Sequence, residues 1–236
     1  MATRTSPSSH APAAADRASE RTYGQFCPVA AGLDVIGDRW VLLILRELSM
    51  GDKRFTDLRS DLPRIAPNLL AERLRSLQAA GVVETVELPP PAARTVYRLT
   101  TEGRAVLPVL RSVARFGVRF LDGEPSERFD ARRAAHALMV PWWRSSNEPL
   151  RARLIVTRAV DGHEHENAVD ITVGGDERLA VEAPSGSPDA TLHVTVADLA
   201  EARRSSTPLV GSLTGVAAAR RRFLHEFDLT LAPRRR

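Results

Sequence analysis

The chain has a single cysteine, Cys27, among 236 residues. No internal disulfide can form, so any fold must rest on its buried cores. No apolar run approaches the roughly 18 residues of a membrane span. The first twenty residues, rich in Ala, Ser and Pro, lack the apolar stretch of a secretory signal. Residues 1–20 read as a disordered tail, and the expected location is the cytoplasm. Also missing are a glycine-rich nucleotide loop, a nucleophile elbow and paired carboxylates in a recognisable setting. These absences point away from an enzyme and call for no cofactor. What is present is 43% hydrophobic residues, enough for ordinary cores, in a length that suits two small domains.

The formal charge is +4 and unevenly spread. From Arg21 to Leu121 there are 15 Lys plus Arg against 10 Asp plus Glu; from Asp122 to Arg236 there are 16 against 17. The positive excess therefore sits in the first half. That fits a polyanion partner, because cationic side chains release counterions when they bind phosphates. It also fits an ordinary solvated surface.

CPVAAGLDVIG, Cys27 to Gly37, reads as a short helix with Pro28 at its first position and Gly37 as its stop. DRWVLLILRELSMG follows, with Asp38 as the expected N-cap and Gly51 as the next stop. Its centre, Trp40 to Leu45, is apolar nearly all round, so a buried helix is expected. Phe55 to Pro63 makes a third helix, and IAPNLLAERLRSLQAAGVVE carries a fourth, from near Pro67 to Gly81. VVETVEL and TVYRLT then alternate around PPPAAR, the pattern of a β-hairpin with a proline-stiffened loop. TEGRAVLPVLRSVARFGVRFL returns to helical spacing, with Val106, Leu110, Val113, Gly117 and Phe120 on one stripe and a kink expected at Pro108. Four helices, a hairpin and a helix, in that order, make a winged helix-turn-helix.

On a helical wheel, Leu70, Leu74 and Leu77 cluster within about 60° and define a core face. Asn68, Glu72 and Arg75 lie opposite, flanked by Leu69 and Ser76. Arg73 falls roughly 70° from the core centre, at the border. Arg can bridge guanine acceptors, Asn can pair with adenine and Glu can accept from cytosine, so this polar face suits base edges. A solvated helix face accounts for the same residues, and both readings stay open from this helix alone.

The segment from CPVAAGLDVIGDRW through RFTDLRSDLPRIAPNLLAERLRSLQAAGVVE to VYRLTTEGRAVLPVL resembles the HxlR family of bacterial winged-helix regulators, over roughly residues 24 to 121. The resemblance implies a homodimer that binds pseudo-palindromic double-stranded DNA and regulates transcription. It implies that Pro67 to Ala80 is the recognition helix, with Asn68, Leu69, Glu72 and Arg75 toward the major groove. It gives Arg64 and Arg94 phosphate or minor-groove contacts, Arg73 the place of the family's usual arginine, and Pro67 the start of the reading helix. The helix starting at Pro28 and the last helix would form the dimer interface. Some members sense oxidants or electrophiles through a cysteine at the place of Cys27, which could equally be a small apolar residue closing the first helix. Two features depart from the family pattern: PPPAARTVY is longer than the usual hairpin loop, and Phe116 stands where a Trp is common.

The second half opens with a hydrophilic joint, residues 122–127. FDARRAAHALMVPWW reads as a helix ended by Pro141. LRARLIVTRAV, NAVDITVGG and RLAVEAP read as strands broken by DGHEHEN and GGDE, and DATLHVTVADLAEARR as a strand running into a helix. GSLTGVAAARRRFLHEF reads as a closing helix, and residues 231–236 as a basic tail. Residues 128–230 resemble the sterol-carrier-protein-like α+β fold, a mixed sheet with helices that encloses an apolar cavity; an unrelated α+β domain is the alternative. Met139, Trp142 and Trp143 are the candidate pocket residues, or else pack the domain onto its neighbour. HEHE at His163 to Glu166 lies in an expected hairpin loop without a third cluster, so no metal site is expected. The reading is thus a mainly α winged helix-turn-helix at residues 21–121 followed by an α+β domain, together a DNA-binding regulator with an apolar small-molecule effector. The rivals are a winged-helix protein-interaction module, an enzyme housed in the second half and a redox-responsive regulator acting through Cys27.

Overall fold

The computed structural model describes residues 22–89, 94–117, 120, 130–138, 149–174, 178–205, 209 and 211–227. The expected tails, the joint at 122–127 and the tip of the hairpin lie outside these residues, as do Met139, Trp142 and Trp143.

Four helices open the described chain: α1 (Pro28–Ile36), α2 (Val41–Leu48), α3 (Phe55–Asp61) and α4 (Pro67–Ala79). Pro28 and Pro67 stand in the first turns of α1 and α4, where their missing N–H costs nothing. Asp57, three residues into α3, caps it by accepting the Arg54 backbone N–H at 2.9 Å. Strands β1 (Val83–Leu88) and β2 (Arg94–Leu99) pair antiparallel, with Val83 opposite Leu99. Lys53 adds a third rung, exchanging backbone hydrogen bonds of 3.0 and 2.7 Å with Tyr97. A 3-10 turn, Gly103–Val106, leads into α5 (Leu107–Gly117). Gly103 must be glycine, since a Cβ there would lie 2.0 Å from the Val82 carbonyl oxygen.

Four expectations for this half change. The N-cap of α2 is Trp40, not Asp38, and Trp40 takes a left-handed backbone, φ 81°. Helix α2 is not buried all round: Val41, Ile44 and Leu45 are buried, whereas Leu43 is 39% exposed. Pro108 does not kink a helix. It falls in the first turn of α5, where the chain has just passed from 3-10 to α geometry. The expected stripe along α5 also divides, with Val106 and Leu110 buried and Val113 and Phe120 exposed.

The second half is α6 (Ala131–Leu138), β3 (Leu150–Val160), β4 (His163–Gly174), β5 (Arg178–Glu182), β6 (Ala190–Thr195), α7 (Val196–Ser205), β7 (Ser212–Gly215) and α8 (Ala217–Glu226). The strands form one mixed sheet in the order β5-β4-β3-β6-β7, with only the β3–β6 pair parallel. Alternate residues make its apolar face, among them Leu154, Val156, Ile171, Leu192 and Val194, and α6, α7 and α8 pack against the central strands. Two corrections apply here. His163 to Glu166 belong to β4 rather than to a loop, because the β3–β4 turn is just Asp161–Gly162, at φ 50° and 78°, the two-residue turn that suits strand twist. The closing segment is not all helix, since Ser212–Gly215 forms edge strand β7.

Each half has its own buried cluster, with one exchange: Met50, from the end of α2, is buried with the second cluster. Its carbonyl accepts the Val181 N–H at 3.1 Å, so the first half occupies one rung of edge strand β5.

Candidate nucleic-acid interface

Helix α4 is held by Leu70, Leu74 and Leu77, each at most 1% exposed. The core face given by the wheel is the face that packs. Pro67, Asn68 and Arg75 stand exposed, while Leu69 and Glu72 are half-buried at the rim. Arg64, in the turn before α4, and Arg94, at the start of β2, are exposed as well. Arg73 differs from the rest. Only 13% of its side chain is exposed, and its guanidinium lies 3.0 Å from Asp38 and 3.2 Å from Glu72. It fastens α4 to the turn before α2, and it also holds Glu72 at the edge of the exposed face.

The elements around this face are braced by charge. Arg54 donates to Asp57 at 2.8 to 3.2 Å and holds that carboxyl below the usual carboxylate range. Arg98 on β2 donates to both carboxylate oxygens of Asp52, which raises the arginine's own pKa further. These pairs brace the strand rung at Lys53 and the start of α3. The arrangement presents an exposed helix with amide and guanidinium groups beside a two-stranded wing.

Cys27 precedes α1 and makes no side-chain cap hydrogen bond. Phe26, Val29 and Leu33 around α1 are at least 41% exposed, and so are Val113, Phe116 and Phe120 along and just after α5. In β4, the alternation of a strand puts His163 and His165 on one face and Glu164 and Glu166 on the other. Among the described residues no group of three or more His, Cys, Asp or Glu could hold a metal ion, and no helix is long and apolar enough to cross a membrane.

Helix, turn, exposed helix and wing define a winged helix-turn-helix of the DNA-binding class. A family model described as HxlR-like helix-turn-helix matches residues 35–125. The uncharacterized HTH-type transcriptional regulator YvaP of Bacillus subtilis (strain 168) is 32% identical over 99 residues, 42% of this chain and 92% of that protein. The HTH-type transcriptional regulator YodB of the same organism is 32% identical over 97 residues, 41% of this chain and 87% of that protein. Among solved structures, the redox regulator HypR in its oxidized form is 32% identical and covers 41% of this chain and 100% of its own, with a TM-score of 0.39. The chain belongs to the HxlR-like helix-turn-helix family and is a transcriptional regulator of that type. The family match ends at residue 125, ahead of β3.

Proposed function

We propose that the protein binds a pseudo-palindromic operator as a homodimer and that its second half tunes this binding in response to a small molecule. The observation that carries the reading is the exposed face of α4, where Asn68 and Arg75 stand free of the core beside the wing. Asn68, Leu69, Glu72 and Arg75 read bases from Pro67 onward, Arg64 and Arg94 clamp phosphates, and Arg73 sets the helix in place. Selection of bound duplexes from a random pool tests this directly. With the selected duplex, Arg75→Ala is expected to lose discrimination at one base pair, about 1–3 kcal/mol. Arg64→Ala is expected to weaken all sequences alike and to flatten the salt slope by about one unit. If the two variants behave alike, the division into base reader and phosphate clamp fails.

The dimer reading is supported by the apolar surface of α1 and α5. Six large apolar side chains on these two segments are at least 41% exposed, and Phe116 and Phe120 lie together, their ring centroids 5.0 Å apart, apolar surface of the kind that marks an interaction site. Two-fold symmetry through this surface would set two α4 helices about 34 Å apart, one turn of DNA. Phe116→Asp places a charge in that surface. Sedimentation is expected to give twice the chain mass for the wild type and a single chain for the variant, with duplex affinity lost in parallel. A monomeric wild type overturns the reading.

For the second half, a mixed sheet with helices supports a sterol-carrier-like domain that takes a ligand with an apolar body. Ligand can alter operator affinity only by binding the free and DNA-bound forms unequally. A tenfold change needs about 1.4 kcal/mol of coupling.

A further inference from the structure

A cleft of about 780 Å³ lies between the two halves. One wall is the wing and α3, and the other is edge strand β5 with Arg132 of α6. The volume is in the range of pockets that take a small organic molecule. Leu88, Leu107 and Ala180, each partly exposed, give it an apolar lining. Its charged groups are not equally occupied. Asp52 holds Arg98, Asp57 holds Arg54 and Asp61 holds Lys53, and Arg104 donates to the Leu99 carbonyl at 3.2 Å. Among the described residues Arg94 and Arg132 have no hydrogen-bond or ion-pair partner, and Glu182 is the one lining carboxylate in the same condition. The unengaged groups are thus two guanidiniums against one carboxylate, around an apolar lining.

We propose that this cleft binds an amphipathic organic anion, a carboxylate or sulfonate on an apolar body, anchored by Arg132 and Arg94. The inference rests on the reading of the second half as a sensor, and it places that sensor's ligand at the seam. The anion's head meets the planar donors of the two arginines, a geometry that suits carboxylates. Its body lies on Leu88, Leu107 and Ala180, and a hydroxyl or amine on it can donate to Glu182. Arg94 is also the wing's phosphate clamp, so the ligand and the DNA backbone compete for one guanidinium. Occupancy therefore lowers operator affinity.

The probe is 8-anilinonaphthalene-1-sulfonate, titrated by fluorescence against the full chain without DNA. The comparison probe is N-phenyl-1-naphthylamine, which has the same rings and no charge. Arg132→Met is expected to weaken the sulfonate about tenfold, and Arg132→Lys to retain part of the affinity, while the neutral dye binds all three proteins alike. Ala183→Trp, which fills the cleft from the β5 side, is expected to weaken both dyes. Sulfonate affinity unchanged in Arg132→Met, or an equal loss for the neutral dye, overturns the anion site. A second titration follows the selected duplex at saturating sulfonate, where affinity is expected to fall; an unchanged affinity overturns the competition at Arg94. Failure of every protein to bind any duplex, with the dye results intact, would count against the proposed operator binding and leave the anion site standing.

Discussion

Lys53→Met is expected to destabilise the protein by about 3–5 kcal/mol, the usual cost of removing one partner from a buried ion pair. Lys53 is the only lysine in the chain and is 6% exposed. Its backbone forms the third rung of the wing sheet with Tyr97. Its ammonium meets the Asp61 carboxylate at the end of α3 and lies 3.5 Å from Glu47 near the end of α2. Glu47 is itself 2% exposed and is also held by Arg46 at 2.5 Å. One side chain thus joins two helices and the wing. Removing it takes a cationic neighbour from the buried Glu47 carboxylate, which keeps the partly exposed Arg46. Methionine matches the length of the lysine stem, so lost packing contributes little. Urea denaturation followed by circular dichroism measures the loss, and a change below about 1 kcal/mol would contradict the argument. The double variant Lys53→Met, Glu47→Gln is expected to recover part of the loss, because the glutamine leaves no charge to bury.

The first half was legible because its signals are local. Prolines open α1 and α4, Gly37 ends α1, and Leu70, Leu74 and Leu77 fall at helical spacing. Each cue needs only a few neighbouring residues, and the structure puts the helices there. The left-handed Trp40 could not be read, since nothing local demands that backbone of a bulky residue. It lies where the chain turns into α2, two residues after Asp38, which pairs with Arg73 of a different helix. The stripe along α5 divides for a related reason. A hydrophobic stripe says that a face will be covered without saying by what, and Val113 and Phe116 face outward in a single chain.

In the second half, strands β3, β5 and β6 were visible through apolar alternation. The start of β4 was not, although Asp161–Gly162 is a strong turn signal. His163 to Glu166 are all exposed, so no alternation marks them, and their place in the strand is set by pairing with β3. Edge strand β7 was missed because only Leu213 of its four residues is even partly buried. The seam between the halves has no local trace at all. Met50 sits in the first half's sequence and the second half's core, and the two unengaged arginines of the cleft are residues 94 and 132. Of the proposed interface, the exposed residues of α4 were legible from the wheel, whereas the engagement of Arg73 with Asp38 needed the fold.

Asp170→Asn is expected to cost about 3 kcal/mol at neutral pH, and the cost is expected to shrink in acid. Asp170 lies on β4, opposite Arg153 on β3, and is 2% exposed. Its carboxylate accepts from Arg153 at 2.7 and 3.1 Å and from the Ser185 backbone N–H at 2.7 Å. Arg153 also donates to the Gly186 carbonyl at 3.1 Å, so one ion pair holds the chain after β5 against the sheet. Asparagine keeps the shape but carries no charge, leaving a guanidinium that is only 22% exposed without its carboxylate. Burial alone would push the Asp170 carboxyl up. The hydrogen bonds from Arg153 and Ser185 outweigh burial, and its pKa is lowered in the folded protein. A carboxyl lowered on folding adds stability that is fully present above its unfolded value, about 3.9, and that is lost as pH falls through the folded value. The gap between wild type and Asp170→Asn should therefore hold from pH 7 to about pH 5 and narrow below about pH 4. Asp57 is lowered as well, but it is common to both proteins and cancels in the difference. Urea midpoints taken across this range supply the measurement. A gap that stays constant down to pH 3 would mean that Asp170 contributes through shape alone, and the ion pair would then not be what holds the strap after β5 to the sheet.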